Sequence, residues 1–428
     1  MDITECFIFF GTELKSKKMN CRHCEKKINH VFVDLNHSPI ANSMLNKDQL
    51  NEPECHYPLK IWVCDHCFLV QMEEFEKAEN IFDSEYTYFS SFSTSWLAHA
   101  EKYVDMMMDR FHFDENTQVI EVASNDGYLL QYFKKHNVPV LGIDPTANTA
   151  QAAEEKGIKT LVDFFSSNLA KKELADKNRL GDLIIANNVL LHVPHLNDFV
   201  KGMKVGLKPK GIITAEFQYV IPLINDCKFD TIYQEHYSYL SFHAISNVFE
   251  SQGLEIFDVE ELPTHGKSLR IFGKHKEDKS RAISERVTEL ADREEKAGVK
   301  TLAFYENFQE RVDNIKYNSL AFLIDQKQKG KKIIGYGAAA KGNTFLNYCG
   351  IKGTDIIHFV VDASPHKQNK YLPGSHIPVY DEKKISEYKP DYVIILPWNL
   401  KEEISEQLSY IRDWGGKFVI FIPEVTVF

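Results

Sequence analysis

The chain has 428 residues, room for two or three domains of ordinary size, and its 43% hydrophobic and 26% charged content separates it from disordered chains. Acidic side chains outnumber basic ones by 61 to 50, a formal charge of −11 with no local basic patch to offset it, so nucleic acid is not an expected partner. No apolar run approaches the roughly 18 residues that span a bilayer, which predicts a soluble protein with no membrane partner. The opening "MDITECFIFFGTEL" has no basic flank and no small-residue cleavage site, and does not read as a signal peptide. Met19 stands just before the first motif, so residues 1–18 are expected to be an extension or an upstream start.

Eight cysteines in so long a chain argue against a disulfide framework and for reduced thiols in a cytoplasm. Four of them form two CxxC pairs, Cys21 with Cys24 in "CRHC" and Cys64 with Cys67 in "CDHC". Two such knuckles can turn four thiolates toward one point and hold Zn2+ tetrahedrally. Four thiolates leave no open coordination position, so this zinc is expected to be structural. The neighbouring His23, His37, His56, His66 and Cys55 read as surface or packing residues. The zinc-binding module is expected over 19–83.

From about Thr117 short β-branched runs alternate with helical stretches. "VIEVA" (Val119–Ala123), "VPVLGID" (Val138–Asp144), "DLIIANN" (Asp182–Asn188) and "GIITAEF" (Gly211–Phe217) predict buried parallel strands of a doubly wound α/β sheet. "LEIFDVEEL" and "KSLRIFGK" add two strands, giving a middle domain over 84–278. Residues 279–329 place Ile283, Val287 and Leu290, then Phe304, Phe308, Val312 and Ile315, at helical spacing, which predicts an amphipathic connector. A last α/β unit, 330–428, begins at "KKIIGYGAAAKGNTFL" and continues through "IIHFVVDASP", "DYVIILPW" and "KFVIFIPEV" with a Rossmann-like rhythm.

The first middle strand runs into "EVASNDGYLL", which offers Glu121, Ala123, Ser124, Asn125, Asp126, Gly127 and Leu130 at the end of a sheet strand, where ligands of such sheets sit. Asp144 and Pro145, in "GIDPT", close the second strand, where a carboxylate can accept from ribose hydroxyls. These features fit a dinucleotide or S-adenosylmethionine. The absence of a full G-x-G-x-x-G cradle favours S-adenosylmethionine, whose sulfonium and amino acid need carboxylate and carbonyl acceptors. Asp163, Phe164 and Phe165 are then expected along the adenine, and Asn187 and Asn188 beside the transferring methyl. The plainer readings are a helix cap for Asp144 and core packing for Phe164 and Phe165.

Taken together, the paired CxxC module, "EVASNDGYLL", "DTIYQEHYSYLS" and "GYGAAAKGNTFLNY" resemble the nucleotide-sugar C-methyltransferase family, including the 3-C-methyltransferases of deoxysugar pathways. The resemblance runs from about Asn20 to the C-terminus. It implies a three-domain chain, monomeric or nearly so. A zinc module and a Rossmann-like C-terminal domain would flank a Rossmann-like S-adenosylmethionine domain, and the substrate would be a nucleotide-linked 4-keto sugar. C-methylation beside a ketone requires α-proton removal and enolate stabilisation, work suited to a histidine and to phenol donors. On the resemblance His236 is the base, with Glu235 and Tyr233 completing its cluster.

In a strand Glu235 and His236 would point to opposite faces, so a turn or bulge is required there. His192, in "LLHVP", is the second candidate base or enolate donor, or else a polar cap on a strand-end loop. Tyr86 or Tyr88, in "SEYTYFSSFSTS", is expected to bring a phenol, while Tyr239 and Ser241 read as structural. In the C-terminal unit Gly337, Lys341, Gly342 and Asn343 are expected to hold the sugar nucleotide near its pyrophosphate, the plainer reading being a domain-packing turn, with Asp362 and Lys367 as weaker candidates. Two features depart from the family, the amino-terminal extension and "CRHCEKK", where Gly often follows the first pair. Two other functions compete, O- or N-methylation of a sugar nucleotide and a zinc-stabilised nucleotide-binding scaffold without catalysis.

Overall fold

The computed structural model describes residues 19–82, 86 and 88–428; the expected extension, residues 1–18, lies outside them. The chain first forms three antiparallel strands, β1 (His30–Ser38), β2 (Tyr57–Val63) and β3 (Val70–Met72). After helix Thr94–Phe111 come β4 (Val119–Val122), β5 (Val140–Ile143), β6 (Thr160–Leu161), β7 (Gly181–Asn187) and β8 (Leu207–Gln218). These five are parallel neighbours and almost wholly apolar inside, as strands covered by helices on both faces must be.

Next in the chain are β9 (Ser238–Tyr239), β10 (Leu254–Leu262) and β11 (Ser268–His275). β10 and β11 pair antiparallel and close one edge, giving the order β10-β11-β8-β7-β4-β5-β6. β4 therefore has β5 on one side and β7 on the other, and the crevice beyond its carboxyl end is where such sheets seat ligands. β9 pairs instead with β3, so the loop preceding it is tied to the N-terminal sheet, order β1-β2-β3-β9.

The last sheet contains β12 (Ile333–Tyr336), β13 (Val360–Val361), β14 (Val379–Tyr380), β15 (Tyr392–Ile395), β16 (Lys417–Ile420) and β17 (Thr426–Val427). Its order is β14-β13-β12-β15-β16-β17, parallel except for β17. The charged stretch between the sheets forms helices Glu285–Ala297 and Phe308–Gln328. The second buries Phe308, Val312, Ile315 and Leu323 in one core with Phe32 of β1 and Ile333 of β12. Phe308 stacks on Phe32 with ring centres 4.5 Å apart. This helix thus packs between the N-terminal and C-terminal sheets. Among the described residues no helix is long and apolar enough to cross a membrane.

Candidate active site

A cavity of about 500 Å³ opens beyond the carboxyl ends of β4, β5 and β7, within the range of small-molecule sites. The turn after β4 forms part of its wall. Ala123 and Asn125 adopt left-handed backbone, φ 57° and 49°, and both line the cavity. Gly127 has φ 73°, and a Cβ there would lie 2.6 Å from Ile158, so the turn needs glycine. Asp144 and Pro145 line the opposite wall. One oxygen of Asp144 accepts from Asn125 N at 2.8 Å and the other from Thr146 N at 2.9 Å, so the carboxylate both faces the cavity and shapes its own turn. Asp163, Phe164 and Phe165 line the cavity, although Phe165 also packs edge-on against Phe199 at 5.1 Å. Asn187 and Asn188 complete this side, and the buried Oδ1 of Asn187 has no partner among the described residues.

Five expected cofactor residues do not line the cavity, the turn glycine Gly127 and four that stand behind the wall. Leu130 is a core residue beside Phe133. Ser124 is buried against Gly142 of β5. Asp126 pairs with Lys156 at 3.3 Å and accepts from Ser91 N at 3.3 Å. Glu121 is buried within β4; burial pushes its pKa well up, the Asp144 and Asp126 charges add to this, and the Tyr128 hydroxyl opposes it. Asn125 has a second task, since its side chain accepts from Ser90 N at 2.9 Å and donates to Tyr88 O at 3.1 Å. Together with Asn148, which donates to Tyr86 O at 2.9 Å, it fixes the tyrosine segment over the cavity. Trp96 and Tyr128 also line the cavity, stacked 5.9 Å apart. The sequence offered no motif for them; Ser93 caps the helix that presents Trp96.

The second half of the cavity holds the polar loop before β9. His236 N–H donates to Tyr233 O at 2.9 Å, closing a turn at Gln234–Glu235, so the chain leaves strand geometry where the sequence required it. His236 is buried, its ring 4.0 Å from that of Tyr233 and 4.8 Å from that of His192. Its Nδ1 lies 2.9 Å from Thr231 O. A carbonyl only accepts, so Nδ1 carries a proton there. His192 Nδ1 likewise donates to Glu235 O at 2.9 Å, and burial pushes the His192 pKa down to about 4. Burial pushes Glu235 up to about 7, against the opposing pull of Asn42 and Lys367. Asn42 Nδ2 donates to Glu235 Oε1 at 2.6 Å. The phenols of Tyr86 and Tyr233 are held well above the ordinary range by burial and the Glu235 charge, and so remain donors. Both line the cavity, as does the more exposed Tyr88.

From the C-terminal unit come Ala339, Ala340 and Lys341, at the start of helix Ala340–Cys349. Lys341 Nζ donates to Asn399 at 2.6 Å and sits 4.9 Å from the centre of the Trp398 ring. Three expected partners do not line the cavity. Gly337 has φ 88° with Pro397 2.5 Å from its Cβ position, and Gly342 has Leu396 at 2.7 Å, so both serve the turn and its packing. Asn343 is buried on the same helix. Asp362 accepts from Ala338 N at 2.7 Å and Ser364 N at 2.8 Å, as a loop organiser. Lys367 does line the cavity, with Nζ donating to Ala338 O at 2.8 Å.

In the N-terminal module the sulfurs of Cys21, Cys24, Cys64 and Cys67 all lie within 4.8 Å of one another, with no histidine or carboxylate joining them among the described residues. Zinc–sulfur bonds of about 2.3 Å in a tetrahedron put sulfurs about 3.8 Å apart, so four thiols at this spacing fit a closed zinc site.

Three segments match family models: residues 21–82 the "Putative zinc binding domain", 96–259 the "Methyltransferase domain", and 263–423 the "C-methyltransferase C-terminal domain". C-methyltransferase NovU of Streptomyces niveus is 30% identical over 407 residues, covering 95% of this chain and 96% of that protein. The chain belongs to the C-methyltransferase family. A ubiquinone biosynthesis O-methyltransferase of Rhodopseudomonas palustris is 26% identical over 101 residues, 24% of this chain and 40% of that one. Among solved structures, magnesium protoporphyrin IX methyltransferase from Synechocystis with bound S-adenosylmethionine has a TM-score of 0.33 and 13% identity, over 41% of this chain and 78% of that one.

The C-methyltransferase is an S-adenosylmethionine-dependent enzyme with an N-terminal four-cysteine zinc site. The cavity wall fits this cofactor: Asp144 and the orphaned Asn187 Oδ1 are acceptors, and Phe164 offers an aromatic surface.

Proposed function

We propose that this C-methyltransferase acts on a nucleotide-linked 4-keto deoxysugar, at C3, to give a branched-chain sugar. The observation that carries the reading is the His236 imidazole. Its Nδ1 proton is held by Thr231 O, and the ring lines a cavity that also holds the cofactor wall and Lys341, which sets an imidazole beside the cofactor site. Bound S-adenosylmethionine supplies an electrophilic methyl. His236 removes the proton on the carbon beside the ketone, and the phenols of Tyr233 and Tyr86 donate to the enolate oxygen. His192, neutral near pH 7 with its Nδ1 proton held by Glu235 O, has only an acceptor at Nε2 and is the alternative base. Glu235, held by Asn42, orients the sugar through its remaining oxygen.

Lys341 and the amides opening the ten-residue helix Ala340–Cys349 take the pyrophosphate, where a helix N-terminus favours negative charge. Gly337, Gly342 and Asn343 support that turn from behind. Binding the remote nucleotide spends its energy on aligning the small sugar with the methyl. The test is a set of nucleotide-linked 4-keto sugars incubated with enzyme and S-adenosylmethionine, read by mass spectrometry. Gain of one methyl on carbon supports the reading. Methyl gain on oxygen or nitrogen, or no gain with any such sugar, overturns it.

A further inference from the structure

We propose that Arg22, inside the first zinc knuckle, is a positioning residue that holds the two active-site histidine loops in register. The inference rests on the reading of His192 and His236 as the reacting imidazoles.

Arg22 Nη1 donates to Pro194 O at 2.8 Å and Nη2 donates to Met72 O. The guanidinium carbon lies 5.5 Å from the centre of the Tyr237 ring. Pro194 is two residues beyond His192, and Tyr237 directly follows His236. One side chain therefore touches the chain just past each histidine. It is itself anchored to the metal site: Arg22 N–H donates to Gln71 Oε1 at 2.9 Å, and Gln71 Nε2 donates to the Cys21 sulfur at 3.2 Å. Next along, His23 Nδ1 donates to Asn197 Oδ1 and Asn197 Nδ2 donates to His23 O, both at 2.9 Å. The knuckle thus grips the loop after β7 at Pro194 and the start of the following helix, Leu196–Gly206, at Asn197.

The second loop hangs from the same module. β9 pairs with β3, Met72 N–H donates to Tyr237 O at 3.0 Å, and Tyr237 N–H donates to Leu191 O at 2.7 Å. The two loops meet where His192 Nδ1 donates to Glu235 O. A planar guanidinium can hold carbonyls of two segments while facing a ring; an ammonium offers only a point charge. Misplacing reacting groups by about 1 Å can cost about 100-fold in rate. The zinc knuckle therefore aligns the reaction centre while contributing no ligand to it.

The test uses the zinc-loaded full chain and compares Arg22→Gln, Arg22→Lys and, as a second grip, Asn197→Ala. Zinc content, S-adenosylmethionine affinity, kcat, KM for the sugar nucleotide and the imidazole 15N signals of His192 are measured. Arg22→Gln is expected to keep one zinc and its cofactor affinity, to lose about 10- to 100-fold in kcat, and to shift the His192 signals. Arg22→Lys should fall between, and guanidinium at roughly millimolar levels should restore part of the kcat of Arg22→Gln. If Arg22→Gln does not fold, Asn197→Ala carries the test, with the same signal shift and a smaller kcat loss at full zinc. Unchanged kcat and His192 signals, or a loss that simply tracks zinc release, overturns the proposal. The two readings separate: turnover by His236→Ala removes the base assignment, whereas unshifted His192 signals in Arg22→Gln remove only the positioning role.

Discussion

His192, Glu235 and His236 share one buried pocket, yet their environments push them apart. His192 stays neutral, Glu235 titrates near neutrality, and His236 is oriented by Thr231 O at its Nδ1. Changing His236 to Ala should lower turnover at least about 100-fold while S-adenosylmethionine still binds, as steady-state kinetics and calorimetry would report. Glu235 also makes a stability prediction. Its folded pKa of about 7 exceeds its ordinary value of 4.5, so between those pH values the folded state binds more protons than the unfolded state. Its contribution is complete below about pH 4.5 and is lost as pH rises toward 7, on the order of 3 kcal/mol. Melting curves of Glu235→Gln should accordingly fall less between pH 4.5 and 7 than those of the parent; parallel curves would count against the buried-acid assignment.

At this scale the sequence disclosed residues whose motif is local. His236, Asp144 and Lys341 could be read because their neighbours spelled a turn or strand end. Asn42 could not, because its partner Glu235 is 193 residues away and only the fold joins them. Gly342 could be placed at a turn but its packing could not, because a glycine turn that packs on Leu396 and one that cradles phosphate share the same local chemistry.

Among the elements, the turn after β4 is the most constrained. Gly127→Ala must place a Cβ 2.6 Å from Ile158 at φ 73°, and is expected to cost at least about 1–2 kcal/mol and to weaken cofactor binding, measured by denaturant unfolding and titration calorimetry. The β3 to β9 pairing links the metal module to the reactive loop. Cys64→Ser, or zinc removal by a chelator, should therefore lower the melting temperature and also kcat, with the two losses reversed together on re-adding Zn2+. The parallel strands were legible from their uninterrupted apolar runs. The pairing of β9 with β3 was not, since two residues carry no periodicity and the partner strand lies far earlier in the chain.

For the whole molecule, strand ends of the middle sheet and loops of the N-terminal and C-terminal units line one cavity, and helix Phe308–Gln328 packs between the two outer sheets. Phe308→Ala removes a fully buried ring stacked on Phe32 and should cost about 3–5 kcal/mol in unfolding free energy. The helical spacing of the connector was plain in sequence, but which surfaces it joined depended on sheet placement. C-methylation in this cavity requires that a proton leave carbon before methyl transfer. The direct measurement is turnover in deuterated water with a nucleotide-linked 4-keto sugar, followed by mass spectrometry of recovered substrate and product. Deuterium is expected at the α-carbon of recovered sugar, with a product carrying a new carbon–methyl bond in place of that hydrogen, both absent with His236→Ala. A methylated product that keeps its α-hydrogen, with no exchange in the recovered sugar, would contradict that expectation.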